Sequence, residues 1–363
     1  MIDRRAFAHF DWLTFFVSMG LCLIGLASVY SAVHTRWPSI HHREIYWIII
    51  GSSLLFAAFI INYSVLERFG YVLYGSSLVL LVMVFAVGRS AAGAKRWINL
   101  GLFTVQPSEF AKLALIVALA KYFSSKTATQ EGLSLKDLAI PGLIMVMPFA
   151  LVVKQPDLGT AIILGMIFLS MALAVKIRWR VLAGLAVAGL AMTPFVWKAL
   201  KGYQKARLTS FLDPRLDPKG TGYHIMQSKI AIGSGGIMGK GYLHGTQGKL
   251  MFLPEHHTDF IFAALAEEWG ALGSLIVISL FAVLILNGLN TAGTSKDRFG
   301  FLLAFGLTSM LFWHAAINLG MVSGLLPVVG VPLPFISYGG SFLVTSMTAA
   351  GLLINVRMRR FMF

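Results

Sequence analysis

WLTFFVSMGLCLIGLASVYSAV, running from Trp12 to Val33, is 22 residues without a single charge. A helix of that length crosses the hydrocarbon core of a bilayer. Arg4 and Arg5 precede it, but no small-residue cleavage pattern follows, so the run reads as a retained signal-anchor helix rather than a cleaved leader. Nine further apolar runs lie at about 45–61, 71–88, 107–123, 138–153, 158–175, 181–199, 260–288, 299–323 and 339–356. Backbone in lipid must satisfy its own hydrogen bonds, so the expected fold is all-α and polytopic, with about ten transmembrane helices.

Composition agrees. The chain of 363 residues is 57% hydrophobic and 12% charged, with a mean hydropathy of +0.77, and a soluble surface needs about twice that charged fraction. The formal charge of +15 is scattered between apolar runs instead of gathered on one surface, which argues against a nucleic-acid binder and for a topology signal with an affinity for lipid phosphates. With the N-terminus in the cytoplasm, the short inside loops hold fourteen Lys and Arg and the short outside loops six: Arg36, Arg43, Arg89, Lys95, Arg96 and Lys154. The positive-inside rule then puts both termini in the cytoplasm and the long polar segment, 198–259, outside between helices seven and eight. No internal repeat interrupts 1–363, so one membrane domain is expected. Cys22, the only cysteine, lies in an apolar run and offers neither a disulfide nor a thiol metal site.

Inside the long segment, Tyr223 to Ile232 reads as an interfacial amphipathic helix, and 233–248 is too rich in glycine for regular structure. Its Gly233-Ser-Gly-Gly-Ile-Met-Gly-Lys-Gly241 is not a phosphate loop, because Gly241 stands where Ser or Thr must bind magnesium. A mobile loop is the plain reading, and Lys240 on a lipid phosphate is the functional one.

Four places could carry chemistry. Gln106-Pro-Ser-Glu109 with Lys112 opens the fourth helix; Glu109 and Lys112, three apart, share a face. They form either a self-cancelling ion pair or a site in which Lys112 and Arg96 hold the pyrophosphate of a lipid substrate. Asp157, opening the sixth helix, is either a cap or a second carboxylate in that cavity. In Pro254-Glu-His-His-Thr-Asp-Phe260, Thr258 or Asp259 could cap the eighth helix, or Asp259 could be a general base on a sugar hydroxyl. Glu255, His256 and His257 are neighbours on a loop and cannot all converge on a metal without a sharp turn. Glu267, eight residues on, falls within about 80° of Asp259 around a helix axis, which suggests a polar crevice. His314 and Asn318, four apart, share a face suited to hydrogen bonds between helices. The segment from Pro327 to Gly340, with three prolines, cannot span lipid and is expected to pack on protein as a loop.

Taken together, Gln106-Pro-Ser-Glu109, Gln155-Pro-Asp157-Leu-Gly-Thr, His257-Thr-Asp259-Phe-Ile-Phe, Ala266-Glu-Glu-Trp-Gly270 and Gly330-Val-Pro-Leu-Pro-Phe-Ile-Ser-Tyr-Gly-Gly340 closely resemble the SEDS proteins of shape, elongation, division and sporulation, in order and over nearly the whole chain. The Gly-Val-Pro-Leu-Pro-Phe wording looks more like the elongation branch than the division branch. One departure is Phe342, where many members have a second serine. The resemblance implies a peptidoglycan glycosyltransferase of the cytoplasmic membrane that polymerises lipid II outside and works with a class B penicillin-binding protein and other elongation-complex membrane proteins. The alternative is a lipid-linked precursor flippase. The family's essential aspartate falls on Asp259 and its polar cavity residues on Glu109, Lys112 and Asp157. Arg96, Glu267 and Lys240 complete the expected substrate-binding set. No fixed metal site is expected, though a divalent cation such as Mg2+ or Mn2+ could assist.

Overall fold

The computed structural model describes residues 9–34, 37–91, 94–99, 101, 103–126, 132–199, 202–217, 220–246 and 257–360. Ten helices occupy the ten apolar runs: α1 (Trp12–Val33), α2 (Pro38–Ile60), α3 (Tyr63–Val87), α4 (Pro107–Ser125), α5 (Leu135–Lys154), α6 (Leu158–Ala174), α7 (Trp179–Ala199), then α10 (Ile261–Gly293), α11 (Arg298–Val322) and α12 (Gly340–Met358). Seven of them are long and apolar enough to cross a membrane. Of the other three, α4 carries Glu109, Lys112 and Lys121, and the apolar parts of α6 and α7 are shorter. Two more helices, α8 (Gly202–Leu212) and α9 (Thr221–Gly235), lie in the polar segment. The second extends the expected interfacial helix at both ends.

The bundle is organised around its last two spans. α11 packs on α4, α6, α10 and α12, while α12 packs on α2, and both are the most buried of the membrane-length helices. α4 is buried nearly all round, with Leu115, Ile116 and Leu119 fully enclosed, which explains how lipid-depth charges survive on it. By contrast α3 shows Val72, Val79, Val82 and Val87 on an exposed apolar face, as a lipid-facing helix should. The end of the bundle away from Asp259 is tied by polar groups: Asn287 donates to Asp11 (2.8 Å) and accepts from Arg357 (2.7 Å).

Two features depart from expectation. A small antiparallel sheet, β1 (Arg89–Ala91), β2 (Ala94–Asn99) and β3 (Thr104–Val105), connects α3 to α4 and was not legible in the apolar pattern. And α10 is broken at Gly270, whose backbone (φ 67°, ψ −163°) is left-handed. The broken turn is repaired by the polar segment: Lys240 and Gly241 donate to the carbonyls of Glu267 and Glu268 (3.0 Å each), and Ala271 and Leu272 donate to Gly236 and Ile237 (2.9 and 3.2 Å). These four bonds take up backbone groups that the break frees, as an interrupted membrane helix requires.

Candidate functional site

The expectation that Thr258 or Asp259 caps the eighth membrane helix is corrected by the structure. α10 begins at Ile261, its N-cap is Phe260, and no side chain caps it. Asp259 instead sits half-buried on the turn just before the helix, and that turn is fixed from outside itself. Three consecutive main-chain carbonyls are each claimed by a different donor. Tyr338 N–H binds His257 (3.0 Å), Ser337 Oγ binds Thr258 (2.7 Å), and the Asn318 amide binds Asp259 (2.8 Å). Asn318 also donates to Val331 (2.7 Å), and Leu333 N–H donates to Ser337 Oγ (2.8 Å), so the loop from Pro327 to Gly339 and α11 hold the aspartate together. This loop is packed on protein as expected: Val331, Leu333, Phe335, Ile336 and Ser337 are buried. Glu255 and His256 lie outside the described residues.

Glycine brings a second carboxylate near. A Cβ built on Gly330, where φ is +73°, would lie 3.2 Å from Asp259 Oδ2, and one built on Gly159 would lie 2.8 Å from the carbonyls of Val329 and Gly330. The first turn of α6 is therefore pressed against the same strand of loop that borders Asp259. Asp157 caps that turn, accepting from Thr160 N (3.3 Å) and Oγ1 (3.0 Å). Both sequence readings of Asp157 meet here, because the capping carboxylate is also bound by Gln106 Nε2 (3.1 Å) and faced by Arg96 Nη1 (3.8 Å). Arg96 further donates to the carbonyls of Gln155 and Pro156. Gln106 N–H in turn donates to Ser341 Oγ (3.1 Å). The N-termini of α4, α6 and α12 are thus linked through Gln106, and each carries roughly half a positive charge from its aligned peptides.

Below this lies the pair on α4. Lys112 Nζ is 2.9 Å from each Glu109 oxygen and 2.8 Å from His314 Nε2, with the Phe342 ring 5.2 Å away. At 1% exposure the ammonium is enclosed in this structure, so it faces Glu109 rather than open space. His314 bonds between helices as its spacing suggested, whereas Asn318 bonds to the turn before α10 and to the loop before α12.

Glu267 and Lys240 are brought to each other. Lys240 Nζ donates to Glu267 Oε1 (2.6 Å), as do Thr246 N (2.9 Å) and Oγ1 (2.6 Å), while Ser31 Oγ donates to Glu268 (2.5 Å). The helical-wheel relation of Glu267 to Asp259 assumed one helix through both, and the helix begins after Asp259. Among the described residues no three His, Cys, Asp or Glu side chains gather as a metal would require.

Residues far apart in the chain line a cavity of about 530 Å³ that no local pattern marks: Arg43, Tyr46, Trp47, Asn99, Phe103 and Tyr338. Tyr338 belongs to the loop that holds His257, so the cavity adjoins the Asp259 turn. An apolar groove of about 230 Å³ lies further along α2, between Leu54, Leu66, Leu113, Val117 and Leu352.

Fold and site together define a polytopic helical membrane protein with a braced, half-buried carboxylate at one end, next to helix N-termini joined through Gln106 and an aromatic cavity. The sequence profile of the FtsW, RodA and SpoVE proteins, described as cell cycle protein, matches residues 8–361, and the chain belongs to that family. It is 44% identical over 319 residues to the peptidoglycan glycosyltransferase MrdB of Escherichia coli, covering 88% of this chain and 85% of that one. A chain from a structure described as structural coordination of polymerization and crosslinking by a peptidoglycan synthase complex superposes with a TM-score of 0.86 at 31% identity, covering 98% and 99%. The rod shape determining protein RodA of Thermus thermophilus superposes at 0.73 with 28% identity, covering 98% of each.

Proposed function

We propose that the chain is a peptidoglycan glycosyltransferase that polymerises lipid II during cell-wall elongation. The observation that carries this reading is the bracing of Asp259, a half-buried residue whose turn is held through three consecutive main-chain carbonyls at the cavity end of the bundle. A general base must be held within reach of the proton it removes.

The acceptor's GlcNAc 4-hydroxyl attacks the anomeric carbon of the donor's MurNAc. Its proton passes to Asp259, the new C–O bond forms with inversion, and the old bond breaks with its electron pair leaving on undecaprenyl pyrophosphate. Base catalysis of this kind contributes typically 10²- to 10⁴-fold. Charge growing on the pyrophosphate meets the N-termini of α4, α6 and α12 and the Arg96 guanidinium, a preorganised field of the sort that lowers such barriers most. Asp157 and Gln106 hold those termini in register. Lys112 keeps Glu109 neutralised beneath them. The aromatic cavity suits sugar rings and the groove on α2 suits a prenyl chain, so one substrate could lie along one helix.

The elongation role is supported by the 44% identity to MrdB and by the Thermus rod shape protein. A class B penicillin-binding protein is the proposed partner, supported by the neighbour's description as a complex that couples polymerization to crosslinking. The proposed location is the cytoplasmic membrane with both termini inside and Asp259 facing out, as the Lys/Arg asymmetry directs. The relatives' names favour transfer over lipid flipping. Purified protein with its partner, given labelled lipid II in detergent where there are no two sides, should make glycan strands, and Asp259→Ala should make none. A wild type that never polymerises would return transport to the lead.

A further inference from the structure

His314 is buried at 2% exposure, four residues from Asn318 on α11, and its two ring nitrogens have different partners. Nδ1 lies 2.8 Å from the Met310 carbonyl, which can only accept, so the proton is on Nδ1. Nε2 lies 2.8 Å from the Lys112 ammonium, which can only donate, so Nε2 offers its lone pair. The ring is neutral, since an imidazolium would set two buried like charges in contact. On the other side the Phe342 ring, 5.1 Å from the imidazole, presents its face to the same ammonium. Lys112 is left one direction for its charge, toward Glu109. Glu109 lies one turn below Gln106, whose side chain binds Asp157.

We propose that His314 is a positioning residue of the glycosyl-transfer site: its neutral Nε2, with the Phe342 face, clamps Lys112 on Glu109 and so keeps the floor of the site free of uncompensated negative charge when pyrophosphate departs. The inference rests on the reading of the site as a transferase centre. It also gives a role to the position where the Ser-Tyr-Gly-Gly-Ser wording departs from the family, because serine has no ring face to cover an ammonium. A clamp acts on the barrier more than on binding. Loss of the acceptor should therefore lower kcat, while the sugar and prenyl contacts that set KM stay in place.

The test uses the full chain with its partner and labelled lipid II. His314→Phe keeps the ring's volume and removes the acceptor; kcat should fall about 10-fold or more, as for a misplaced charge near the chemistry, with KM within about twofold. His314→Gln places an oxygen where Nε2 stood and should recover most of the lost rate. In a Lys112→Met background His314→Phe should cost nothing further, because it acts through Lys112. Full activity in His314→Phe, additive losses with Lys112→Met, or a Gln variant no better than Phe would each overturn the proposal. If the wild type makes no glycan, the transferase reading falls instead, and the same cycle read as melting temperature in detergent still shows whether the two residues are coupled.

Discussion

The side-chain amide of Asn318 spans 2.8 Å to the carbonyl of Asp259 and 2.7 Å to that of Val331, tying the turn before α10 to the loop before α12 with one residue of α11. Asn318 is fully buried, so replacing it strands two carbonyls. Asn318→Leu should destabilise the protein by about 1 kcal/mol for each lost hydrogen bond. It should also slow lipid II polymerisation by about 100-fold, the usual order for a base displaced by an ångström. Melting in detergent and the glycan assay, run together, separate the two effects.

Gly330 and Gly324 share a φ of +73° but not a neighbour. A methyl at 330 would sit 3.2 Å from Asp259 Oδ2, whereas at 324 it would meet the flexible end of Lys229. Gly330→Ala and Gly324→Ala should each lose about 1–2 kcal/mol through left-handed backbone strain. Only Gly330→Ala should lose polymerisation. Equal activity in both variants would remove Gly330 from the site.

These relationships show where sequence stops. The ten apolar helices were legible because lipid leaves the backbone one choice, although only seven of them are long and apolar enough to cross a membrane. Asp259 stands out as a candidate in the sequence because a carboxylate just before an apolar run invites either capping or chemistry. Thr258 as a cap was misread, since a start shifted by two residues costs nothing in hydropathy and the braces on the turn, Ser337 and Asn318, lie 79 and 59 residues away. Lys112 and His314 are 202 apart, and only the packing of α11 on α4 joins them. Gly270 gave no warning either, because a glycine inside an apolar helix usually costs a little stability and no continuity.

Lys240 and Glu267 make the polar segment's anchor in the broken helix. Glu267 is fully buried and Lys240 about a third exposed at its side chain, so removing the lysine leaves a carboxylate that water cannot reach. Lys240→Met should cost about 1–3 kcal/mol, below the loss for a fully buried pair because the ammonium is partly solvated. The Lys240→Met/Glu267→Gln pair should cost less than Lys240→Met alone. Limited proteolysis between residues 236 and 246 should follow the same order, with the single variant cut fastest.

Asp217 organises the entry to α9, and its effect depends on pH. Its carboxylate accepts from Thr221 N (2.8 Å), Thr221 Oγ1 (3.2 Å) and Ser210 Oγ (3.4 Å). Burial pushes the carboxyl up, but the hydrogen bonds from Thr221, Gly220 and Ser210 outweigh it, so Asp217 titrates below the usual carboxylate range. A folded value below the unfolded one means that the unfolded chain takes up the proton first as pH falls. The stabilisation is complete above the unfolded value near 3.9 and disappears as pH drops through the folded value. Asp217→Ala should therefore melt below the wild type by a constant margin from about pH 5 to 8, and the margin should shrink below about pH 4. A margin that instead widened in acid would show that the carboxyl is held protonated, and that its hydrogen bonds are not those of an ionised acceptor.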